Sequence, residues 1–303
     1  MIPPAPVALF VYNRLELVKR TVEALRQNER ASESDLKIFS DSWKREKDKA
    51  AVEHVRNFIG GISGFRSVTI VAREENLGLS RSIVSGVTSL LQKHDALIVL
   101  EDDLVTSPYF LRYMNDALRM YANEPTVVSV HGYVYPVSKR LPETFFLRGA
   151  DCWGWGTWKR GWRTLRLEAD ILIEELRHGG RAREFDFDHS FPYTRMLRKQ
   201  ANGKIDSWAV CWYASAFLAN MLTLYPGRSL VNHVGTAETA THAWSLSNRF
   251  KVPLADSPIR VQPIPPVEDP IARAAFRDFF KTSRGTIFTR GLRALRRPFL
   301  RMS

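Results

Sequence analysis

The chain has 303 residues, of which 45% are hydrophobic and 25% are charged, and its formal net charge at pH 7 is +12. This is the composition of an ordinary globular protein. Its two cysteines, Cys152 and Cys211, are too few for a disulfide framework and lack the companions of a zinc site. No apolar run approaches the roughly 20 residues of a membrane-spanning helix, and no signal peptide opens the chain, so we expect a cytoplasmic protein.

The positive charge is concentrated in the last tenth of the chain. Residues 273–303 contain nine basic side chains and a single acid, Asp278, interleaved with phenylalanine and leucine. This pattern is typical of a basic amphipathic segment on an anionic membrane surface, which would make the protein peripheral at the inner face of the membrane. The alternative is a terminal helix that packs its apolar side on the domain. No nucleic-acid-binding motif accompanies the charge, so we expect no nucleic acid partner.

Strand and helix patterns alternate through the first 135 residues. Asn13 and Glu16 have the spacing of a capping box at the start of the first helix. The predicted strands are short apolar runs, at residues 7–12, 36–40, 68–72, 96–103 and 127–130. Because alternating strands and helices favour parallel pairing through right-handed crossovers, this half is predicted to be a doubly wound α/β sheet.

The rest of the chain is divided into two parts by its composition. Residues 136–250 are less regular and rich in tryptophan, with candidate strands at 144–147, 222–225 and 229–234. Residues 251–303 begin with a proline-rich stretch, predicted to be a linker or a draped loop, and end in the basic tail.

Three consecutive carboxylates, Glu101, Asp102 and Asp103, end the predicted strand 96–103, whose first five residues are all apolar. Ligands of open α/β sheets bind beyond the carboxyl ends of the strands. Adjacent like charges repel one another unless a cation neutralises them, and Mg²⁺ or Mn²⁺ is usually held by one or two carboxylates plus substrate phosphates. The triplet therefore predicts a metal-bound nucleotide; the alternative is a polar turn with solvated carboxylates.

Four motifs occur in an order that resembles a known family. They are Phe39-Ser40-Asp41, Asn76-Leu77-Gly78-Leu79-Ser80, the acid triplet, and Pro108-Tyr109-Phe110. Together they resemble GT-A-fold glycosyltransferases, most of all the N-acetylglucosaminyltransferase I family and bacterial family 2-like transferases. The resemblance implies a Rossmann-like, mostly parallel sheet with flanking helices. Residues 1–135 would bind a nucleotide sugar, and residues 136–250 would bind the acceptor within the same domain.

The family's activity would then be metal-dependent transfer of a sugar, with inversion, from a nucleotide donor to a saccharide or lipid-linked acceptor. By resemblance, Asp103 binds Mn²⁺ or Mg²⁺ and Asp102 faces the ribose. Asp41 resembles the family residue that accepts a hydrogen bond from uracil N3–H, which makes a UDP-sugar the expected donor. Arg14 resembles the arginine beside the nucleotide. For Asp41 and Arg14 the alternative is an exposed loop charge.

The loop before the third predicted helix supplies four more donor-side candidates. Asn76 and Gly78 shape this loop. Ser80 stands where the close relatives place a histidine against the base, a departure that leaves the identity of the base open. Arg81 is a substitute contact, and a solvated arginine at the start of a helix is the equal alternative.

An inverting transferase needs a base for the proton of the acceptor hydroxyl. Related enzymes place an aspartate before a tryptophan, and Ile205-Asp206-Ser207-Trp208 matches that pattern, so Asp206 is the predicted base. The apolar residues 209–224 that follow can raise the pKa of such a carboxylate. The alternative for Asp206 is a helix N-cap.

The acceptor side and a second metal ligand are predicted from the later sequence. The glycine- and tryptophan-rich segment 151–158 resembles the family's acceptor loop, with Asp151, Trp153 and Trp155 as candidates and one indole expected to contact sugar. His242 is the candidate for the metal or the diphosphate, whereas His233 is expected to be structural.

Two other functions stay open at this stage. A sugar-phosphate nucleotidyltransferase would share the metal and the sheet, but it would be expected to carry a glycine-rich loop after the first strand, and Tyr12-Asn13-Arg14-Leu15 contains no glycine. A catalytically inactive, membrane-peripheral scaffold protein is the other alternative.

Overall fold

The computed structural model describes residues 3–235 and 248–295; in the last helix, only the backbone is described beyond Ser283. The described residues form an eight-stranded sheet, a two-stranded sheet and ten α-helices. The strands are β1 Val7–Val11, β2 Asp35–Ser40, β3 Ser67–Ala72, β4 Ala96–Glu101, β5 Leu104–Thr106, β6 Val127–His131, β7 Thr144–Arg148, β8 Trp155–Trp158, β9 Leu222–Pro226 and β10 Val231–His233. The helices are α1 Leu15–Arg26, α2 Lys49–Ile59, α3 Gly78–Lys93, α4 Phe110–Met120, α5 Lys159–Trp162, α6 Ala169–His178, α7 Ala182–Phe185, α8 Tyr193–Ala201, α9 Trp208–Leu218 and α10 Pro270–Leu295.

The large sheet has the strand order β3-β2-β1-β4-β8-β6-β9-β7. The strands β3, β2, β1 and β4 are parallel, and β6 and β9 are parallel to each other. Only β8 and β7 run antiparallel to their neighbours within this sheet. The predicted fold class is confirmed: a mixed α/β protein with a mostly parallel sheet flanked by helices, consistent with a GT-A fold.

Both faces of the central strands are buried, as their unbroken apolar sequences predict. Along β1, Val7, Leu9 and Val11 belong to one hydrophobic cluster, which also contains residues of α1 and α4. Ala8 and Phe10 point into a second cluster with residues of α3 and α9. Alternation along a strand therefore places helices on both sides of the sheet, and loops at its carboxyl edge.

Two local expectations differ from the structure. The first helix has no capping box: Arg14 occupies the N-cap position without a side-chain cap, and Glu16 instead contacts Lys19 at 2.8 Å. Residues 136–250, expected to be less regular and to contain three strands, also contain the helices α5 to α9 and the unpredicted strand β8. Of these, α9 is apolar around its whole circumference and carries no amphipathic periodicity that would predict it.

The end of the described chain lies against the domain. The backbone N–H of Asp269 donates to Phe146 O at 2.8 Å, which holds the proline-rich segment beside β7. Phe276 and Phe280 of α10 are buried. The first part of this helix therefore packs on the domain, as in the alternative of a terminal helix with its apolar side on the domain. Within residues 3–235 and 248–295, no helix combines the length and the apolar character needed to cross a membrane.

Candidate active site

The three carboxylates lie at the carboxyl edge of the sheet, where β4 turns into β5. Glu101 is the last residue of β4 and is paired with Phe10 of β1. Asp102 and Asp103 follow in the turn and are only 3% and 8% exposed. The Thr21 hydroxyl donates to the Asp102 carbonyl at 2.9 Å, which ties the turn to α1. Two buried carboxylates this close require a nearby positive charge.

Arg14 supplies that charge from the N-cap of α1. Its Nε donates to Asp102 Oδ2 at 3.3 Å, and a second guanidinium nitrogen donates to Asp102 Oδ1. Its Nη1 lies 3.0 Å from Asp103 Oδ2. Burial would lower the pKa of Arg14, but the two aspartates outweigh burial and raise it. The predicted residues Arg14, Asp102 and Asp103 are thus in direct contact.

His233 reaches the same turn from the opposite direction. The strand β10 pairs antiparallel with β5, with His233 opposite Leu104, and this pairing brings His233 Nε2 within 3.3 Å of Asp103 Oδ2. The sequence favours a purely structural role for His233, and the structure adds direct contact with the acid turn. His242, the histidine expected near the metal, lies outside the described residues.

The three acids differ in their ionisation. Burial, together with the charges of Asp103 and Asp102, raises the pKa of Glu101 to about 8. Burial also raises the pKa of Asp102 to about 6, against the opposing effect of Arg14. For Asp103 burial acts in the same direction, but the His233 hydrogen bond and the Arg14 charge outweigh it and lower the pKa. Asp103 is therefore the carboxylate of the turn that ionises most readily.

Asp41 closes the neighbouring loop, after β2. Its carboxylate accepts the backbone N–H of Leu77 and of Gly78 at 2.9 Å, and that of Ser42 at 3.1 Å. A negative charge is favourable there because the amides belong to the first turn of α3. Gly78 has a φ of +73°, which favours glycine. These amides occupy most of the acceptor positions of the Asp41 carboxylate. The alternative that Asp41 is an exposed loop charge is therefore wrong, because the residue is also buried.

The same loop holds most of the other donor-side candidates. The Asn76 side chain donates to Ser42 O at 2.6 Å. Ser80 is buried, and its Oγ accepts the backbone N–H of Trp208 at 2.9 Å, which joins α3 to the start of α9. Arg81 is exposed on the first turn of α3. The hydrogen bonds of Asn76 and Ser80 therefore build the loop itself, and Arg81 faces solvent beside it.

Asp206 lies next to this loop. A Cβ placed on Gly78 would be 3.9 Å from Asp206 Oδ2, and Asp206 is exposed. The helix-capping alternative for Asp206 is wrong, because Ser207 is the N-cap of α9 and accepts the N–H of Val210 at 3.5 Å. The capping role passes to Ser207, and the Asp206 carboxylate stands at the edge of the loop that Asp41 closes.

The acceptor-side tryptophans separate into one buried and one partly exposed ring. Trp155 is 1% exposed and packs against Trp162, Trp208 and Trp212, with ring centroids 5.4 to 6.1 Å apart. The prediction that Trp155 is a candidate for contact with an acceptor sugar is therefore wrong. In β8 its ring points into the core, between α3 and α9. Trp153 is half-buried and stacks on His233, with centroids 5.1 Å apart.

A buried histidine that the sequence did not single out supports Trp153. His131 Nε2 accepts the backbone N–H of Trp153 at 3.0 Å, so its proton lies on Nδ1, which donates to Tyr133 O at 2.9 Å. Burial lowers the pKa of His131. Asp151 Oδ1 lies 3.9 Å from His131 Nε2, and Asp151 Oδ2 accepts the hydroxyl of Tyr135 at 3.4 Å. Neutral His131 thus fixes the backbone that carries the Trp153 ring.

Comparison with known proteins gives fold-level likenesses. No protein-family model matches the sequence, and no curated protein matches it. Among solved structures, the mannosyltransferase PcManGT from Pyrobaculum calidifontis, in complex with GDP-Man and Mn²⁺, is 15% identical, with 44% of this chain and 38% of that chain covered and a TM-score of 0.29. S. aureus TarS is 14% identical, with 48% and 24% covered and a TM-score of 0.30. Its residues 1–349 are 9% identical, with 51% and 47% covered and a TM-score of 0.32. The chain therefore spans less than half the length of each.

The contacts of Asp41 predict that its loss destabilises the fold. Asp41→Ala removes the acceptor of three backbone amides, so we expect the free energy of unfolding to fall by about 1–3 kcal/mol. Asp41→Asn keeps one acceptor oxygen and should lose less. Chemical denaturation measures both, with Asp170→Ala on the exposed face of α6 as the control. An Asp41→Ala protein as stable as the parent would contradict the loop-closing role.

The lowered pKa of His131 predicts that the free energy of unfolding of the protein depends on pH. Because its pKa is lower in the folded state than the ordinary value of 6.5, the unfolded chain binds more protons as the pH falls below that value. This contribution to stability is complete above pH 6.5 and is lost on acidification, at up to about 1.4 kcal/mol per pH unit. His131→Gln should flatten the slope measured by denaturation between pH 7 and 5. His178→Gln, on the surface of α6, should leave the slope unchanged; equal slopes in all three proteins would argue against the assignment.

Proposed function

We propose that the chain transfers a sugar from a nucleotide-sugar donor, with a UDP-sugar as the first candidate, to a saccharide or lipid-linked acceptor, with inversion. The observation that supports this most is the buried turn Asp102-Asp103 at the end of β4, faced by Arg14 from α1. Carboxylates and a guanidinium at the carboxyl edge of an α/β sheet are the groups that hold a cation and a diphosphate together.

The residues at this turn fit Mn²⁺ or Mg²⁺. Among the described residues, no group of three or more His, Cys, Asp or Glu is arranged to hold a metal alone. Such cations, however, are commonly held by one or two protein carboxylates together with substrate phosphates. Asp103, the carboxylate with the lowered pKa, would be the main ligand, with His233 Nε2 beside it. The cation would stabilise, as a Lewis acid, the charge of the departing nucleoside diphosphate.

Arg14 and the loop after β2 would hold the donor. The Arg14 guanidinium stands at the N-terminus of α1, where a phosphate oxygen is favourable. Asp102, whose two oxygens both contact Arg14, would orient that guanidinium as well as meet the ribose. The base would lie along the loop formed by Asp41, Asn76, Gly78 and Ser80, with exposed Arg81 at its edge.

Asp206 would act as the catalytic base. Its exposed carboxylate stands beside Gly78, on the same edge of the sheet as the acid turn. It would accept the proton of the acceptor hydroxyl as that oxygen bonds to the anomeric carbon and the bond to the diphosphate breaks. Trp153 and Asp151, held by His131 and Tyr135, would form the acceptor wall.

The first test is release of nucleoside diphosphate from UDP-, GDP- and dTDP-sugars, with Mn²⁺ and Mg²⁺ and with a chelator. We expect release that needs the cation. Asp103→Asn should reduce it by at least about 100-fold, because the cation contributes several kcal/mol of charge stabilisation. Asp170→Asn on α6 is the matched control and should behave as the parent. No release from any donor, or full activity of Asp103→Asn, would overturn the proposal; release of pyrophosphate from a nucleoside triphosphate and a sugar phosphate would favour the nucleotidyltransferase instead.

Asp206→Asn separates catalysis from donor binding. Loss of a general base costs roughly 10²- to 10⁴-fold in rate, whereas the donor contacts are made by other residues. We therefore expect sugar transfer to be lost while the thermal shift produced by donor and Mn²⁺ is retained. A variant that transfers sugar at the parent rate would refute the role of Asp206.

A further inference from the structure

The eight-stranded sheet has one covered edge and one open edge. At the β7 edge, Glu268 forms a parallel bridge with Phe146, and the first part of α10 packs beside the strand. At the other edge, β3 pairs with β2 alone among the described strands and bridges. A strand directs only alternate N–H and C=O groups toward a given neighbour, so the remaining backbone groups of β3 face outward from the sheet.

The strand β3 lacks the features that usually protect the edge of a sheet. It is six residues long and contains neither a charged residue nor a proline. Its register with β2 is continuous from Ser67 to Ala72, without a bulge. Edge strands of natural proteins are usually short, charged, bulged or covered, because an open edge is a template for pairing with another strand. The β3 edge is therefore built in a way that permits such pairing.

Both faces of β3 carry exposed apolar side chains. Ile70 and Val71 are successive residues, so they point to opposite faces of the sheet, and each is 39% exposed. Ile70 is paired with Ile38, on the face covered by α2, and Val71 is paired with Phe39, on the face covered by α3. Ile38 and Phe39 are buried, so the two helices cover β2 but leave β3 partly open. One additional strand beside β3 would cover apolar surface on both faces.

The β3 edge is complementary to itself when two copies run antiparallel. Exposed Arg66 precedes the strand and exposed Glu74 follows it, and each lies four residues from Ile70. Antiparallel pairing about Ile70 therefore sets Arg66 of one copy opposite Glu74 of the other, at both ends of the pair. The same register sets Val68 opposite Ala72 and Ile70 opposite its own copy. Pairs of opposite charge and pairs of apolar side chains both stabilise neighbouring strands.

We propose that two copies of this chain associate through β3, antiparallel about a two-fold axis at Ile70, and so join their eight-stranded sheets into one. A second copy is favoured over an unrelated strand because the chain itself supplies the complement: an apolar strand with opposite charges at its two ends. The charges on and beside this edge balance, with three basic and three acidic side chains: Lys37, Arg66, Arg73, Asp35, Glu74 and Glu75. This inference stands whether or not the chain transfers sugar.

This pairing leaves the candidate active site of each copy open. The carboxyl edges of the parallel strands would face opposite directions in the two copies, because the paired strands run antiparallel. The interface would end at Glu74, two residues before Asn76 of the donor-side loop. The second copy would therefore lie beside the start of that loop without covering the acid turn after β4.

Sedimentation equilibrium of the full chain at micromolar concentrations tests the association, and we expect a dimer. Ile70→Lys should raise the dissociation constant at least about tenfold, because an apolar cross-strand pair is replaced by two like charges. The matched control is Ile171→Lys on α6, which also replaces an exposed isoleucine and should leave the dissociation constant unchanged. A monomeric parent, or an equal effect of the two variants, would overturn the proposal.

Exchange of charge tests the antiparallel direction. Arg66→Glu and Glu74→Lys should each weaken association of the variant with itself, whereas an equal mixture of the two should form a dimer about as tight as the parent. Arg66 also contacts Asp35 of its own chain at 2.5 Å, but mixing would not repair the loss of that contact. Circular dichroism checks that each variant is folded. A mixture that associates no better than the separate variants would refute the pairing.

A cross-link tests the register. Opposite Cα atoms of antiparallel strands lie about 4.5–5.5 Å apart, within the range that a disulfide spans. Ile70→Cys should therefore give a covalent dimer on mild oxidation, whereas the parent and Ile171→Cys should not. A dimer of Ile70→Cys that does not cross-link would show that the two copies meet elsewhere.

Discussion

Two carboxylates buried side by side at the end of β4 need a positive charge, and Arg14 supplies it from the N-cap of α1. This ion-pair group sets several features of the molecule at once. It accounts for the arginine at the N-cap of α1, where no side chain caps the helix. It joins the loops of two adjacent parallel strands, β1 and β4. It also helps to make Asp103 the acid of the turn that ionises most readily, since the His233 hydrogen bond and the Arg14 charge lower its pKa.

The second constraint is the burial of four tryptophans between the sheet and the helices α3 and α9. Trp155 of β8 packs against Trp208 and Trp212 of α9, and the N–H of Trp208 donates to Ser80 of α3. The start of α9 is therefore fixed beside the start of α3, which is the reason that Asp206 stands next to Gly78. A core of aromatic rings thus positions an exposed carboxylate that lies more than 120 residues from its neighbour in sequence.

The sequence predicted the parts of this arrangement that depend on local pattern. The apolar runs of β1, β2 and β4 predicted the parallel half of the sheet, and the acid triplet, which begins with the last residue of β4, marked the carboxyl edge of that half. The sequence did not place His233 beside Asp103, because this contact depends on the pairing of two three-residue strands about 130 residues apart. Nor did the Gly- and Trp-rich segment 151–158 reveal that Trp155 is buried, because its burial depends on packing against Trp208 and Trp212 of α9, which are distant in sequence. The role of Asp206 as the base and the contacts of Trp153 and Asp151 with the acceptor stay predictions.

The anchor of α10 and the proposed acceptor wall share side chains. Phe276 and Phe280 pack on Tyr135, and the Tyr135 hydroxyl donates to Asp151. Phe250, which packs between Trp153 and Phe279 of α10, adds a second path of contacts to the same wall. Because packed aromatic rings transmit displacement rather than absorb it, the position of α10 and the position of Trp153 are mechanically linked.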